Sequence, residues 1–384
     1  MYYWIYLIMK HIVDFNLLKN TNELKEKGLI LKNKEDIFLV KYNKKYINNE
    51  NISTLGKYRS IIFNDEKILS YSPPKSLRYN SNFNIDGLKI TEFCDGTMIN
   101  LFYYKDKWEI ATKSVIGANC KYYINQEKTY RDMFFEVIEK LNINLNNFNK
   151  NYSYSFILQH PENRIVANIQ YMNLILIKCY SFNDNVIMEE DISEYSKFMN
   201  ISLDLTNIFK RDTLDEIFNN YLNFTNNVKD YNKVGIVLTN TNGERIKIRN
   251  FYYEYVKRLK GNSPKLQFIF YSIKKLKKIK EFLTFFPEHS TDFKMYTKEL
   301  YEFTEKLYNK YVSCFIKKEE KLSNVDYELK PHLFKLHKIY LDSLSGKKIK
   351  INKKVVIDYV NNLEPEQLMF CINYKKKKKL IKKQ

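Results

Sequence analysis

Short apolar runs broken by polar turns fill the first two-thirds of the chain, and apolar residues at three- and four-residue steps fill the rest. Ile37-Phe-Leu-Val-Lys-Tyr42, Ser60-Ile-Ile-Phe63 and Lys67-Ile-Leu-Ser-Tyr71 predict strands, the last two forming a hairpin across Asn64-Asp65-Glu66. Ser72-Pro-Pro-Lys75 ends that sheet, because proline lacks the donor a ladder needs, and leaves Lys75 on a stiff extended segment. In Ile90-Thr-Glu-Phe-Cys-Asp-Gly-Thr-Met-Ile-Asn-Leu-Phe-Tyr104, the Asp95-Gly96 pair predicts a tight turn that feeds a strand over Met98–Tyr104. Trp108-Glu-Ile-Ala-Thr112 alternates as its partner strand and leads to Lys113-Ser114.

Tyr130, Phe134, Val137 and Leu141 share one face of an amphipathic helix expected to cover a sheet. Tyr154–Leu158 and Leu174–Tyr180 read as strands, with Gln159–Arg164 as a turn after the first. Thr213-x-x-Glu216 is the start signal of a second helix. Gly235–Thr239, Asn240–Gly243 and Arg245-Ile-Lys-Ile-Arg249 predict a closing hairpin. At Gly261-Asn-Ser-Pro264 the strand pattern gives way to a helical one, carried by Phe293, Tyr296, Leu300, Phe303 and Leu307 and again by Leu333, Leu336 and Tyr340. The expected architecture is α+β: an antiparallel-sheet domain over 1–260, a basic all-α domain over 261–374, and a lysine-rich tail over 375–384 too charged to pack.

Composition changes this picture in one respect, the distribution of charge. The formal net charge is +20, but residues 1–244 hold 30 Lys+Arg against 29 Asp+Glu, while residues 245–384 hold 34 against 15. AT-rich coding inflates lysine everywhere, yet it does not produce that contrast. A dense basic segment is the footprint of a polyanion partner such as a nucleic acid, and Lys274, Lys275, Lys277 and Lys278 form one dense cluster within it. Five cysteines at wide spacing, with no paired Cys or Cys/His set, predict a reducing compartment and no metal centre. The apolar run Met1–Met9 is too short for a span and lacks a basic leader, so it reads as a first strand or as sequence before a true start at Met9, and no membrane partner is expected. The histidines form no ligand pair, and none of the 9 glycines fits a phosphate loop.

Taken together, Arg59-Ser-Ile-Ile-Phe, Ser72-Pro-Pro-Lys75, Glu92-Phe-Cys-Asp-Gly-Thr97, Thr112-Lys-Ser114, Pro161-Glu-Asn-Arg-Ile-Val166, Val234-Gly-Ile-Val-Leu238 and Arg245-Ile-Lys-Ile-Arg249 resemble, in order and spacing, the adenylyltransferase domain of bacteriophage-type ATP-dependent RNA ligases. These belong to the covalent nucleotidyltransferase superfamily, and the whole chain looks like a branch carried by large DNA viruses. The resemblance implies a nucleotide and phosphate site at Arg59, Lys75, Asp95, Gly96, Lys113, Arg164, Lys247 and Arg249. If the protein is active, it also implies ATP and Mg²⁺.

Three positions depart from the family pattern, and they are the ones that do the chemistry. The family's attacking lysine, two residues before Asp-Gly, is Phe93 here, and its two motif glutamates fall on Ile157 and Val234. Phenylalanine has no nucleophile, and aliphatic side chains cannot hold Mg²⁺, which takes hard oxygen ligands. Gln159 reads as a structural glutamine. The expectation is therefore an RNA-ligase-like protein that binds RNA or RNA ends and has lost lysyl-adenylate chemistry. The alternative is an active, divergent nucleotidyltransferase using a relocated lysine, with Lys75 preferred over Lys89. Its expected location is the host cytoplasm or a viral factory, with the lysine tail as a conceivable nuclear address; protein partners stay open.

Overall fold

The computed structural model describes residues 9–80, 83–122, 127–344 and 349–381, so the expectation for Met1–Ile8 lies outside the described residues. Two compact units divide between Arg258 and Leu259. The first unit is α+β and built on antiparallel sheets. Its strands are β1 (Lys10–Ile12), β2 (Leu29–Lys34), β3 (Ile37–Tyr42), β4 (Ile61–Phe63), β5 (Ile68–Tyr71), β6 (Lys89–Phe93), β7 (Thr97–Tyr104), β8 (Lys107–Thr112), β9 (Ser153–Gln159), β10 (Asn173–Asn183), β11 (Val186–Glu190), β12 (Asn200–Ile201), β13 (Gly235–Thr239) and β14 (Arg245–Arg249).

They form three sheets, ordered β1-β11-β10-β9-β7-β8, β2-β3-β4-β5 and β14-β13-β6, with β12 pairing β10 in parallel. The helix Tyr130–Lys140, started by a reciprocal Thr129/Asp132 cap, packs Met133, Phe134 and Val137 onto the large sheet beside Phe148, Tyr154 and Phe156. The helix Leu214–Val228, capped by Thr213, sets Leu214, Ile217 and Tyr221 against the inner face of the three-stranded sheet, where Ile90, Ile236, Leu238, Ile246 and Ile248 are buried.

Asp95-Gly96 leads directly into β7, the strand expected after it. It does not lie at a hairpin, because β6 belongs to the three-stranded sheet and β7 to the seven-stranded one. The pair is the crossover between two sheets. Sequence pattern misses β6 because Lys-Ile-Thr-Glu-Phe lacks a clean alternation of polar and apolar residues.

The second unit is helical, with helices Leu266–Lys275, Ile279–Phe285, Ser290–Tyr311, Lys330–Asp342, Lys353–Asn361 and Pro365–Ile381. Gly261, at φ +71°, ends the preceding helix Phe251–Lys260, and the two-unit division falls inside that helix, just before the expected Gly261–Pro264 breaker. The lysine run does not begin a loose tail: the last helix continues through it to Ile381, and Lys375 pairs with Asp326 at 2.8 Å. Lysine is a good helix former, so charge alone does not stop a helix already anchored by Leu368 and Cys371.

The expected cluster Lys274–Lys278 is also more tied down than its sequence suggests. Lys275 pairs with Glu364 at 2.6 Å, Lys278 with Glu281 at 3.4 Å, and Lys274 donates to Asn361. Among the described residues, no helix is long and apolar enough to cross a membrane.

Candidate functional site

The pleat of β14 sorts its sequence into two faces. Ile246 and Ile248 enter the core, and Arg245, Lys247 and Arg249 stand on the opposite face. Across the sheet, Lys247 is in register with Val237, and Val237 with Thr91. Phe93, two residues further along β6, holds its ring 4.0 Å from Lys247 Nζ and 5.8 Å from Arg249 Cζ, a cation–π arrangement.

Two adjoining cavities open on this face. The first, about 320 Å³, has an apolar side of Phe93, Met98, Ile157, Ile177 and Val234 and a basic side of Arg59, Arg245, Lys247 and Arg249. The second, about 460 Å³, adds Lys75, Arg78, Lys113 and Tyr42 to the shared Arg59, Lys247 and Arg249, and no carboxylate lines it. Five of the six cations expected on the phosphate side thus converge. Arg164 does not line either cavity: its Nε donates to the carbonyls of Val166 and Ala167 at 3.2 and 3.1 Å.

Local chemistry fixes each cation. The carbonyls of the Pro-Pro segment accept from two guanidinium groups, Pro73 from Arg59 and Pro74 from Arg245, each at 3.2 Å. Lys75 follows on the same segment, its backbone N–H bonded to the Gly56 carbonyl at 2.9 Å. At the end of β8 the Thr112 hydroxyl accepts from the N–H groups of Ser114 and Val115, closing the turn that presents Lys113. Lys113 Nζ lies 4.0 Å from the centre of the Tyr42 ring.

Crowding of like charge in a partly dry cleft lowers the amines. Burial, then Arg59, Lys44, Lys41 and Lys75, brings Lys113 down to about 7. Burial, reinforced by Arg245, Arg59 and Arg249, holds Lys247 well below its ordinary value, and burial with Arg59 and Arg78 lowers Lys75. Arg59, pressed by burial and Arg245, falls to about 10 and stays protonated at neutral pH. Of the two lysines Lys113 and Lys75, it is Lys113 that is brought down to about 7. Lys89 pairs with Thr239 at the far end of β6 and lines neither cavity.

Asp95 and Gly96 have structural duties. The Asp95 carboxylate accepts from the N–H groups of Val166 and Ala167 at 3.0 and 2.8 Å and from the Tyr253 hydroxyl at 2.8 Å, so protein donors occupy both oxygens. It pins the 164–167 loop and the helix Phe251–Lys260 to the sheet crossover; it does not offer a free oxygen to a nucleotide. Gly96, at φ +140°, passes so close to β9 that a Cβ would meet Ile157 Cγ2 at 2.5 Å and the Leu158 carbonyl oxygen at 2.6 Å. Gln159 donates to the Asp95 carbonyl at 2.8 Å and accepts from Asn173 at 3.2 Å, as a structural glutamine should.

A Mg²⁺ ion does not fit the residues present. Ile157 is buried in an apolar cluster with Cys94 and Ile175, Val234 is 4 % exposed, and the Asp95 oxygens are taken. Among the described residues no three His, Cys, Asp or Glu side chains gather as a metal-binding group.

Fold and site together define an antiparallel-sheet protein with a basic cleft that has an apolar floor. An RNA ligase from Rhodothermus phage RM378 is 28% identical to this chain over 212 residues, 46% of this chain and 48% of the phage protein. The chain therefore spans about half the length of the relative it matches. No protein-family model matches it. Solved structures with similarity include a putative ATP-dependent DNA ligase from Aquifex aeolicus (TM-score 0.41, 13% identity, 87% of this chain and 81% of that one). An archaeal ATP-dependent RNA ligase is similar in one form at TM-score 0.43, with 10% identity and 68% of each chain covered. Its other form matches at TM-score 0.40, with 10% identity and 91% and 98% covered. Over the matched stretch the chain is similar in sequence to that phage RNA ligase.

Proposed function

We propose that this protein is a degenerate RNA ligase that binds RNA or RNA ends through the cations of its cleft and of its helical unit, without forming a lysyl-nucleotide. The observation that carries this reading is the contact between Phe93 and Lys247. An apolar ring occupies the motif position that the resemblance assigns to the attacking amine, while the neighbouring cations Arg59, Lys75, Lys113 and Arg249 stay gathered around the same cleft. Cations without a nucleophile or metal ligands suit recognition of phosphate better than its transfer. ATP belongs to this reading as a competing ligand, and the site of action is the host cytoplasm or a viral factory.

The test is incubation of purified protein with α-labelled ATP or GTP and Mg²⁺, followed by denaturing electrophoresis, with RNA binding measured on the same preparation. The expected result is RNA binding with no labelled band. A band that disappears on Lys113→Ala or Lys75→Ala would overturn it in favour of the alternative, a divergent ligase with a relocated lysine; of the two, Lys113 is the better candidate because its amine is the more readily deprotonated.

A further inference from the structure

The wider cavity is built almost entirely from nitrogen donors. Arg59, Lys75, Arg78, Lys113, Lys247 and Arg249 line it, and Tyr42 and Ser76 supply its only side-chain oxygens. On the wall of the adjoining first cavity lies Arg245, 7 % exposed, whose guanidinium donates to the Pro74 carbonyl and whose Nε has no partner among the described residues. A buried guanidinium N–H without an acceptor is costly, and an acceptor entering the cleft from outside would satisfy it.

The same cleft is poor in what a divalent ion requires. Octahedral Mg²⁺ takes oxygen ligands, commonly one or two carboxylates together with substrate phosphates. Asp95 is saturated by protein donors, Ile157 and Val234 carry none, and Glu92, which lines the narrower cavity, does not line the wider one. Nothing but nitrogen remains to neutralise a bound anion beside Lys75 and Lys113.

We infer that the cleft binds a polyphosphate chain without a divalent metal, its seven basic side chains (Arg59, Lys75, Arg78, Lys113, Arg245, Lys247 and Arg249) taking a metal's part in neutralising the phosphate charge. This rests on the reading that these cations face phosphate, and it adds that Mg²⁺ is a competitor. A bound Mg²⁺ removes two charges from the ligand and occupies oxygens that the guanidinium and ammonium groups would otherwise take. Polyphosphate could reach the cleft as a free nucleotide or as the 5′ end of an RNA, and the chemistry of recognition is common to both.

The experiment is calorimetric titration of the full chain, at fixed ionic strength, in EDTA or in millimolar Mg²⁺. The probes are inorganic tripolyphosphate, ATP, and one short RNA carrying either a 5′-triphosphate or a 5′-hydroxyl. Tripolyphosphate and ATP are expected to bind in EDTA and to weaken roughly threefold or more on adding Mg²⁺. Arg249→Ala and Lys75→Ala, both on partly exposed residues, should each weaken binding in EDTA about tenfold, the worth of one charge-assisted hydrogen bond. Preference for the 5′-triphosphate RNA would support the inference with RNA ends as the source, and equal binding of the two RNAs, tripolyphosphate still bound, would support it with free polyphosphate as the source. Binding that requires Mg²⁺ would overturn the inference and leave the proposed function standing. RNA binding with no polyphosphate binding in either buffer would overturn it too, and would move the RNA site elsewhere on the protein. Failure of every probe would overturn both.

Discussion

Lys247 holds its ammonium nitrogen 4.0 Å above the ring of Phe93, so the position that the family resemblance assigns to an attacking lysine is filled by a ring and covered by a cation. Two residues carry the meaning of this contact. Phe93 supplies no nucleophile, and Lys247, held well below its ordinary pKa by burial and by Arg245, Arg59 and Arg249, marks how little further positive charge the cleft accepts.

Restoring lysine alone should accordingly fail. Phe93→Lys is expected to give no labelled adduct with ATP and Mg²⁺, because Ile157 and Val234 leave the metal without oxygen ligands. The combination Phe93→Lys, Ile157→Glu and Val234→Glu is the matching gain-of-function variant, at a cost in stability from burying two carboxyl groups. Adduct formation by the single variant would show that the carboxylates are not the missing parts.

Lys113 should behave as a partly neutral amine at pH 7. Its pKa near 7 leaves about half of it deprotonated, against a small fraction of a percent for an ordinary lysine. Acylation at neutral pH, followed by peptide mass spectrometry, is expected to label Lys113 ahead of the surface lysines, and tripolyphosphate should protect it. Anion affinity should fall as pH rises from about 6 to 8, because the ammonium that meets the anion is being lost. The stability contribution has the opposite sign. Between about 7 and 10.5 the unfolded chain holds a proton that folded Lys113 lacks, so this group's contribution rises with pH across that window. Uniform labelling of all lysines would contradict the crowding argument.

Much of this site is written in the sequence, but not its depth. Arg59, Lys75, Lys113, Lys247 and Arg249 stand out by their motifs, and the structure brings them to one cleft. Arg245 could have been placed with them from strand alternation alone, since Arg-Ile-Lys-Ile-Arg sends all three cations to one face. Arg78 and Tyr42 give no such signal, because what brings them in is the packing of β3 and the Pro-Pro segment around a shared space. Asp95 illustrates the opposite limit. Asp-Gly in sequence announces a turn, but only tertiary contacts with Val166, Ala167 and Tyr253 reveal that its carboxylate is already occupied.

That occupancy yields its own prediction. Asp95→Asn replaces one acceptor oxygen by a donor that would face an N–H or O–H group, and should destabilise the first unit by about 1–3 kcal/mol in denaturant unfolding. Gly96→Ala should cost a similar amount, since its positive φ and the approach to Ile157 and Leu158 leave a Cβ no room. Neither change adds or removes a cation, so polyphosphate affinity measured well below the unfolding midpoint should move much less than stability. Loss of anion binding with unchanged stability would place Asp95 in the ligand shell after all.

The basic C-terminal segment supports a prediction about RNA in which pairing matters more than the count of lysines. If six phosphates of single-stranded RNA are neutralised, log affinity should fall against log salt with a slope of roughly −4. Lys274, Lys275 and Lys278 are engaged by Asn361, Glu364 and Glu281, so mutating them to glutamine also frees acceptors and carboxylates, and their availability to phosphate is already reduced. Lys277, Lys280, Lys335 and Lys338 are exposed. Their joint change to glutamine in the full chain is expected to reduce the slope by up to about 3, near 0.7 for each phosphate no longer neutralised, whereas the Lys274, Lys275 and Lys278 triple change should move it less than half as far. Both variants carry the whole fold, so near-ultraviolet circular dichroism can confirm that packing is kept before binding is compared. An affinity insensitive to salt, or one untouched by the four exposed lysines, would sink RNA binding by the helical unit and favour a protein partner for that surface.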